Sequence, residues 1–551
     1  MKIIFVTGSL SGLGKGTIAA SIASILQAYG FDITMAKIDP YLNIDAGLFN
    51  PHEHGEVFVL DEIWEFEPVS GYKYCICEVD QDLGIYERFI HRNLHPSHNI
   101  TSGQIYLSVI LRERKGEYLG KTVQLIPHVT SEIKNRILRI AGKYDITIVE
   151  VGGTVGDYEA AIFLEAIRQL RNELPSDDTF LIHVVWVPYL KVLGEFKTKP
   201  AQQSFRFLLE SGLSIDTIVA RIEQGSLTRD TINKLALYSN ISTDCIFEVP
   251  NLETPYETLM VLYRQGIHNI ILNKLGLVPC SDPTTVLDKW NDFILKIKNS
   301  EQSVRICLIG KYTRMMDTYF SIIDALRHTG ASLNIKPEID LVDSEKIVLD
   351  VLAQYDGIIL TPGFGVRGTE GMINTAVYSL RTNTPLLGIC FGAQLGAVAF
   401  AREYMNWDGA NSTEIDPNTE YPVVDLLPEQ RNLEYLGGTM RLGGIDIIIK
   451  PNTLLHRIYR SNRTRERFRH RYHIIPEYAE KMQDKGFIIN AVDEKGRIAA
   501  YEIQNHPFFI GVQYHPEYTS RPLSPHPLFI AFLKECIKRK KTSSSYARRS
   551  Q

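Results

Sequence analysis

KIIFVTGSLSGLGKGT, residues 2–17, reads as a buried strand, a glycine-rich turn and a lysine that opens a helix. The glycines between Gly8 and Lys15 let backbone N–H groups turn inward on phosphate oxygens, and the helix that follows adds its positive end. Lys15 then brings a point charge to the outer phosphates. The match to a strict phosphate-loop pattern is imperfect, because Ser9 stands where the first glycine belongs and Gly16 follows the lysine. Taken alone, the stretch fits a tight strand-to-helix turn as well as a nucleotide loop.

Outward from this turn, short apolar runs alternate with helical stretches as far as residue 276. DITMAKID (32–39), DITIVEVGG (145–153), TFLIHVVWVP (179–188) and DTIVARI (216–222) each read as buried parallel strands. The alternation predicts a doubly wound α/β domain over 1–276, with ligands at the carboxyl ends of its strands. The rhythm fails over 277–302, which reads as a linker. It restarts with VRICLIGKY (304–312), YDGIILTPGFG (355–365), PLLGICFG (385–392), IDIIIKP (445–451) and FFIGVQYHP (508–516), predicting a second doubly wound domain over 303–537. The basic, serine-rich stretch 538–551 has nothing to bury and reads as disordered.

Composition narrows the classes. With 551 residues the chain exceeds one core. A net charge of -5 argues against a non-specific nucleic-acid binder. No apolar run is long enough to span a bilayer, and Met1 leads straight into a strand rather than a signal peptide. Seven cysteines, an odd number without framework spacing, fit a reducing, intracellular compartment.

Two constellations carry chemistry. Asp80 and Asp82 in EVDQDLG, and Glu150 and Asp157 in VEVGGTVGD, come from separate segments, and two carboxylates among them reaching the phosphates would suit Mg²⁺, which takes a few carboxylates together with phosphate oxygens. Each alone reads equally as a solvated loop acid. Lys37, and Lys197, Lys199 and Gln202 in GEFKTKPAQQ, add donors for a second polyanion. Far along the chain, Cys390 stands on a sharp strand-to-helix turn, where a helix N-terminus favours the thiolate. His515 and Glu517 in VQYHPE supply a base and the group that orients it. A phosphate-activating site and an ammonia-releasing site on one chain imply ATP-driven amination.

KIDPYLNID, EHGEVFV, DLGIYERFI, QLIPHVT, EVGGTVGDYE and GEFKTKPAQ together resemble the amidoligase domain of the CTP synthase family. GKY, GICFGAQ, ANSTEI, GGTMRLG, FRHRYH and QYHPEYTS resemble its fused class I glutaminase domain. The resemblance implies phosphorylation of O4 of UTP by ATP, then displacement of the phosphate by glutamine-derived ammonia. By position it implies an ATP loop of Gly12, Leu13, Gly14, Lys15, Gly16 and Thr17, with Asp82 serving both ATP and Mg²⁺ and Glu150 the second metal ligand. Lys15 and Lys37 would act on the transferred phosphoryl group. Ser11, Asp157, Tyr158, Glu159, Lys197, Thr198, Lys199, Pro200, Ala201, Gln202 and Lys234 would recognise UTP or the inhibitor CTP. Gly363 and Phe391 would form the oxyanion hole, with Gly392, Ala393, Gln394, Glu414 and Arg471 holding glutamine. Arg367 would lie on a lid near a site for the activator GTP, and His54 at the gate of an ammonia tunnel. A homotetramer, filaments and a cytoplasmic location are also implied, with neither membrane nor nucleic acid as partner.

Three departures from the family pattern stand out. The phosphate loop is one residue shorter, which affects Ser9 and Ser11. TPGFG puts Pro362 where the first of two glycines belongs, which stiffens the oxyanion loop or removes a donor. Leu60–Gln81 is longer by about a dozen residues and reads as an added β-hairpin, whose aromatic side chains predict a subunit interface. A related amidase acting on a carboxylate and a nucleotide-responsive scaffold are the competing readings. The first is opposed by GEFKTKPAQ and GGTVGDYE, the second by retention of Lys15, Asp82, Glu150, Cys390, His515 and Glu517.

Overall fold

The computed structural model describes residues 1–313, 315–433 and 435–549. They divide into two compact units, one of Met1–Ala46, Trp64–Ile76 and Asp82–Ile294, the other of Gly47–Ile63, Cys77–Gln81 and the chain from Leu295 on.

The first unit is built on a seven-stranded sheet in the order Ile246–Val249, Thr217–Arg221, Thr179–Trp186, Lys2–Gly8, Ile146–Val151, Ile33–Asp39, Asn99–Thr101. Every pairing in it is parallel, and the four predicted strands lie in it beside Lys2–Gly8. Ile33–Asp39 and Ile146–Val151 are buried at every residue, as expected where helices cover both faces of a parallel sheet. Three of those buried residues, Lys37, Asp39 and Glu150, are charged. A sheet interior tolerates such groups only when they are paired, and all three sit near carboxyl ends of strands.

The second unit carries a nine-stranded sheet. Lys336–Asp343, Ser303–Gly310, Gly357–Leu360, Leu386–Ile389 and Phe509–Val512 run parallel. Ile498–Ile503, Phe487–Asp493, Arg441–Ile449 and Arg463–His470 extend the sheet antiparallel, so IDIIIKP belongs to the antiparallel half. Side-chain alternation sends Ile358, Leu360 and Leu386 into one core and Ile359, Leu387 and Ile389 into the other. Residues 47–63 and 77–81 complete this unit. Tyr518 donates to the Val57 carbonyl at 3.0 Å, Arg467 to the Val59 carbonyl at 2.9 Å, and Phe58 packs edge-on to Tyr518 at 4.9 Å.

Three stretches differ from the sequence-based expectation. The 277–302 segment holds a helix, Thr284–Asn299, whose Trp290 stacks on Phe89 and Tyr256; the division between units falls at Ile294. The stretch from 538 is helical, within Pro527–Arg549, while Ser550 and Gln551 lie outside the described residues. That helix is seeded by buried Leu528, Phe529, Phe532, Leu533 and Cys536. It continues because Lys and Arg are good helix formers and because Lys540 donates to the Ser303 carbonyl at 2.7 Å. The added segment is indeed a hairpin, Val57–Val69 paired with Tyr72–Asp80, turning at Gly71 with φ +92°. Its aromatics are not all presented outward, however. Phe66 is buried, Trp64 lies 4.9 Å from it, and the Arg136 guanidinium covers the Phe66 ring at 4.9 Å in a cation–π stack within the chain. Tyr72 and Tyr74 remain exposed.

Candidate active sites

In the first unit the turn after Lys2–Gly8 uses Gly12 and Gly14 at φ +74° and +78°, backbone conformations that side chains disfavour. No atom lies within 4 Å of a Cβ built at either position, so these glycines serve conformation rather than close packing. Lys15 opens the helix Lys15–Ala28 and folds back, its Nζ donating to the carbonyls of Leu10 at 3.2 Å and Gly153 at 3.0 Å. Burial lowers its pKa, Glu150 opposes that, and Lys37 adds to it. Lys37 is ion-paired with Asp82 and lies 3.7 Å from Asp39.

Asp82 and Glu150 converge at the first turn of this helix. A Cβ at Gly16 would stand 3.0 Å from Asp82 Oδ1 and 3.1 Å from Glu150 Oε2. Tyr86 donates to Glu150, and Asp39 accepts from Asn99 at 2.7 Å and Tyr41 at 3.1 Å. Among the described residues no group of three or more His, Cys, Asp or Glu side chains could hold a metal. Two carboxylates beside a phosphate loop fit an ion such as Mg²⁺ that completes its shell with phosphate and water.

The predicted pyrimidine residues are spread along neighbouring elements. Asp157 precedes the helix Tyr158–Glu173, and Tyr158 and Glu159 line a cavity of about 480 Å³ with Pro40, Ser102 and Tyr106. Gly156 abuts the Phe207 ring of the helix Lys199–Glu210, where a Cβ would meet it at 2.9 Å. On that helix Gln202 donates to Thr198 at 2.8 Å, Ala201 is buried, and Lys199 and Pro200 are exposed. Lys197 pairs with Glu195, which also feels Lys234; Ser11 is exposed. Sequence reasoning missed His183, which is fully buried, bonded to Thr7 at 2.9 Å and to Ser204 at 2.6 Å. Burial, aided by Lys15, holds it neutral with a pKa near 3. It links the phosphate-loop strand to the helix carrying Lys199 and Gln202.

In the second unit, four chain segments leave the carboxyl ends of adjacent parallel strands and meet. Cys390 follows Leu386–Ile389 with φ +53° and ψ -105°, a strained conformation for a residue with a side chain, costing about 1–3 kcal/mol. Flanking glycines permit this elbow, since a Cβ at Gly392 would lie 2.2 Å from the Leu360 carbonyl oxygen and one at Gly388 2.9 Å from that of Gly392. His515 Nδ1 meets Glu517 Oε1 at 2.7 Å, both buried. Burial disfavours the imidazolium, but Glu517 and Cys390 outweigh it and raise the His515 pKa to about 10.

Cys390 and His515 share a cavity of about 60 Å³ with Pro362, Gly363, Phe364, Tyr312, Arg469 and Tyr518. Gly363 lies against Phe391, where a Cβ would meet the ring at 3.7 Å. Phe391 begins the helix Phe391–Met405, so its N–H lacks an intrahelical acceptor. Pro362, which lines the same cavity, has no N–H to donate. Glu414 accepts the Gly365 N–H at 2.6 Å; burial raises its pKa, against that bond and Lys311. Arg471 donates to Thr439 at 2.9 Å and the Leu436 carbonyl at 2.6 Å. Tyr472 feels both Glu414 and Arg471, which places opposite charges around it. Gln394 donates to the Tyr472 carbonyl at 2.7 Å, and Ala393 is buried beside it. Lys311, not singled out as a site residue from sequence, holds the Phe364 carbonyl at 3.0 Å and that of Gly365, with Phe391 under its ammonium at 4.0 Å. Burial pushes it down to about 8. His54 ends the helix Pro51–His54 against Phe49 at 4.6 Å.

Residues 2–277 match a family model described as CTP synthase N-terminus, and 314–535 match one described as glutamine amidotransferase class-I. A CTP synthase of Thermococcus kodakarensis is 46% identical over 549 residues, covering 98% of this chain and 100% of the relative. One from Sulfurisphaera tokodaii is 46% identical over 542 residues, covering 97% and 99%. The solved glutaminase domain of Trypanosoma brucei CTPS with bound acivicin is 33% identical over 43% of this chain and 94% of that one, with a TM-score of 0.41.

Proposed function

The chain belongs to the CTP synthase family, whose members make CTP from UTP with ammonia drawn from glutamine, and from that premise we propose how its residues divide the work. Cys390 gives its proton to His515 and its sulfur attacks the glutamine carboxamide. The oxyanion that forms is met by the Gly363 and Phe391 N–H groups. His515 returns the proton to the leaving nitrogen, ammonia departs, and water then releases glutamate from the thioester with His515 as base. Glu517 keeps the imidazole oriented and its positive form favoured. Gly392, Ala393, Gln394, Glu414 and Arg471 bind the glutamine backbone groups and amide.

At the other site Gly12–Thr17 cradle ATP, while Lys15 and Lys37 offset charge on the phosphoryl group passing to O4 of UTP. Ammonia then displaces that phosphate. Asp82 and Glu150 hold Mg²⁺, which when bound neutralises phosphate charge. Ser11, Asp157–Glu159, Lys197–Gln202 and Lys234 recognise UTP, and CTP as inhibitor. GTP acts as activator beside Arg367, which bonds Glu345 at 3.0 Å and the Lys311 carbonyl. The protein works as a cytoplasmic homotetramer; no helix among the described residues is long and apolar enough to cross a membrane.

The observation that supports this reading best is the convergence of Asp82 and Glu150 on Gly16 in a chain that also carries the Cys390 elbow. CTP formation from UTP, ATP and Mg²⁺ tests it, with glutamine and ammonium as parallel donors. Both should serve, and Cys390→Ala should keep ammonium alone. Product with neither donor from a folded, nucleotide-binding protein would refute it.

A further inference from the structure

Gln513 is 2% exposed and stands between the strand Phe509–Val512 and His515. Its Nε2 lies 3.6 Å from Cys390 Sγ, and its Oε1 accepts from Gln394 Nε2 at 3.2 Å. The direction of this chain of bonds is fixed from its far end. The Tyr472 carbonyl can only accept, so the Gln394 atom 2.7 Å away is the amide nitrogen. That NH₂ also faces Gln513, which must therefore answer with its carbonyl oxygen. The Gln513 NH₂ is left turned toward the sulfur, and its backbone is held by donation to the Ala499 carbonyl at 2.8 Å.

The sulfur has a second neighbour of opposite kind, the Arg469 carbonyl at 3.4 Å. A thiol donates to that carbonyl. Once its proton has passed to His515, the contact loses its hydrogen and sets two electron-rich atoms together. The Gln513 N–H contact changes in the other sense and becomes a bond to an anion, the stronger kind. We propose that Gln513 is a further catalytic residue of the glutaminase site, an N–H donor that stabilises the Cys390 thiolate against the neutral thiol. This rests on the glutaminase reading above, but the test reads the sulfur itself.

The measurement is the rate of Cys390 alkylation by iodoacetamide against pH in the full-length protein. Modification is located by peptide mapping, because Cys75 and Cys280 are exposed thiols whereas Cys390 is buried. Gln513→Met keeps the length of the side chain and removes the donor. It should slow Cys390 alkylation at neutral pH by roughly 10-fold or more, the span of a hydrogen bond to a charged group, and move the profile to higher pH. Gln513→Glu, which turns an acceptor to the sulfur, should slow it at least as much and serves if the methionine variant does not fold. Ammonium-dependent CTP formation reports folding and should be kept. Alkylation of either folded variant at the parent rate with the parent pH profile would overturn the assignment. An absence of CTP synthesis in the parent protein would instead count against the proposed function and leave the alkylation comparison standing.

Discussion

Gly392→Ala adds one methyl group at the elbow and tests whether the position of Cys390 depends on that glycine. The new Cβ would fall 2.2 Å from the Leu360 carbonyl oxygen, 2.6 Å from its carbon and 2.7 Å from Leu360 Cβ. Contacts of real Cβ atoms essentially never come under 3.0 Å, so at least about 0.8 Å of movement is required. Leu360 lies in the parallel strand Gly357–Leu360, bonded on both sides, and its carbonyl yields little. The movement falls on the first turn of the helix Phe391–Met405, which carries the Phe391 N–H and the sulfur. A misplacement of about 1 Å costs on the order of 100-fold in rate, and overpacking costs about 1–3 kcal/mol of stability. Glutamate release from glutamine should fall by roughly 100-fold, with a lowered unfolding midpoint and ammonium-dependent CTP formation retained. Glutaminase activity within threefold of the parent, in a protein of unchanged stability, would refute the close-approach argument.

Glu517→Gln removes the carboxylate that holds His515 charged while leaving its burial in force. The His515 pKa should drop from about 10, since burial is then opposed by Cys390 alone, and glutamine-dependent kcat/KM at neutral pH should fall at least about 100-fold, as when a buried pair loses one partner; a pH–rate profile decides. Lys311 loses its proton as pH rises through about 8, so its clamp on the Phe364 and Gly365 carbonyls should weaken and glutamine-dependent turnover decline above that pH, while Lys311→Met gives a low, flat profile. Stability runs the other way, because between about 8 and the ordinary lysine value the unfolded chain binds a proton that the folded protein has released, so the fold gains from this group as pH rises; denaturant titrations at pH 8 and 10 check the sign. Asp82→Asn should abolish CTP formation from either nitrogen donor yet leave glutamate release intact, measured on the same preparation.

The strands and the elbow were legible because each is a local signal. Buried runs such as DITIVEVGG name a parallel strand, and a cysteine between glycines names a turn that no ordinary packing needs. What escaped was set by partners distant in sequence. His183 reads as one more residue of an apolar strand until Thr7 and Ser204 close on its two nitrogens. Lys311 reads as the end of a strand until the Phe364 and Gly365 carbonyls gather round it. The hairpin was legible as local alternation, but the covering of Phe66 was not, since Arg136 comes from a helix far along the chain. The helical stretch after 538 was hidden by its composition, which resembles that of a solvated tail and lacks only the anchor at Ser303.

Residues 47–63 and 77–81 belong to the cysteine-bearing unit although they are encoded within the phosphate-binding half. A single cut near 300 therefore separates these two stretches from the rest of their unit. The fragment would leave Arg469 without Glu78, which it meets at 2.7 Å, and would strip Phe58 from the face of Tyr518. It would also lose Pro51, Glu56 and Val57 from the lining of the Cys390 cavity, admitting water to a nucleophile that the whole chain shields. For protein engineering, the hydrolytic half is a discontinuous module: grafting it elsewhere means carrying three pieces of sequence, and one of the short pieces, residues 47–63, furnishes part of its reaction chamber.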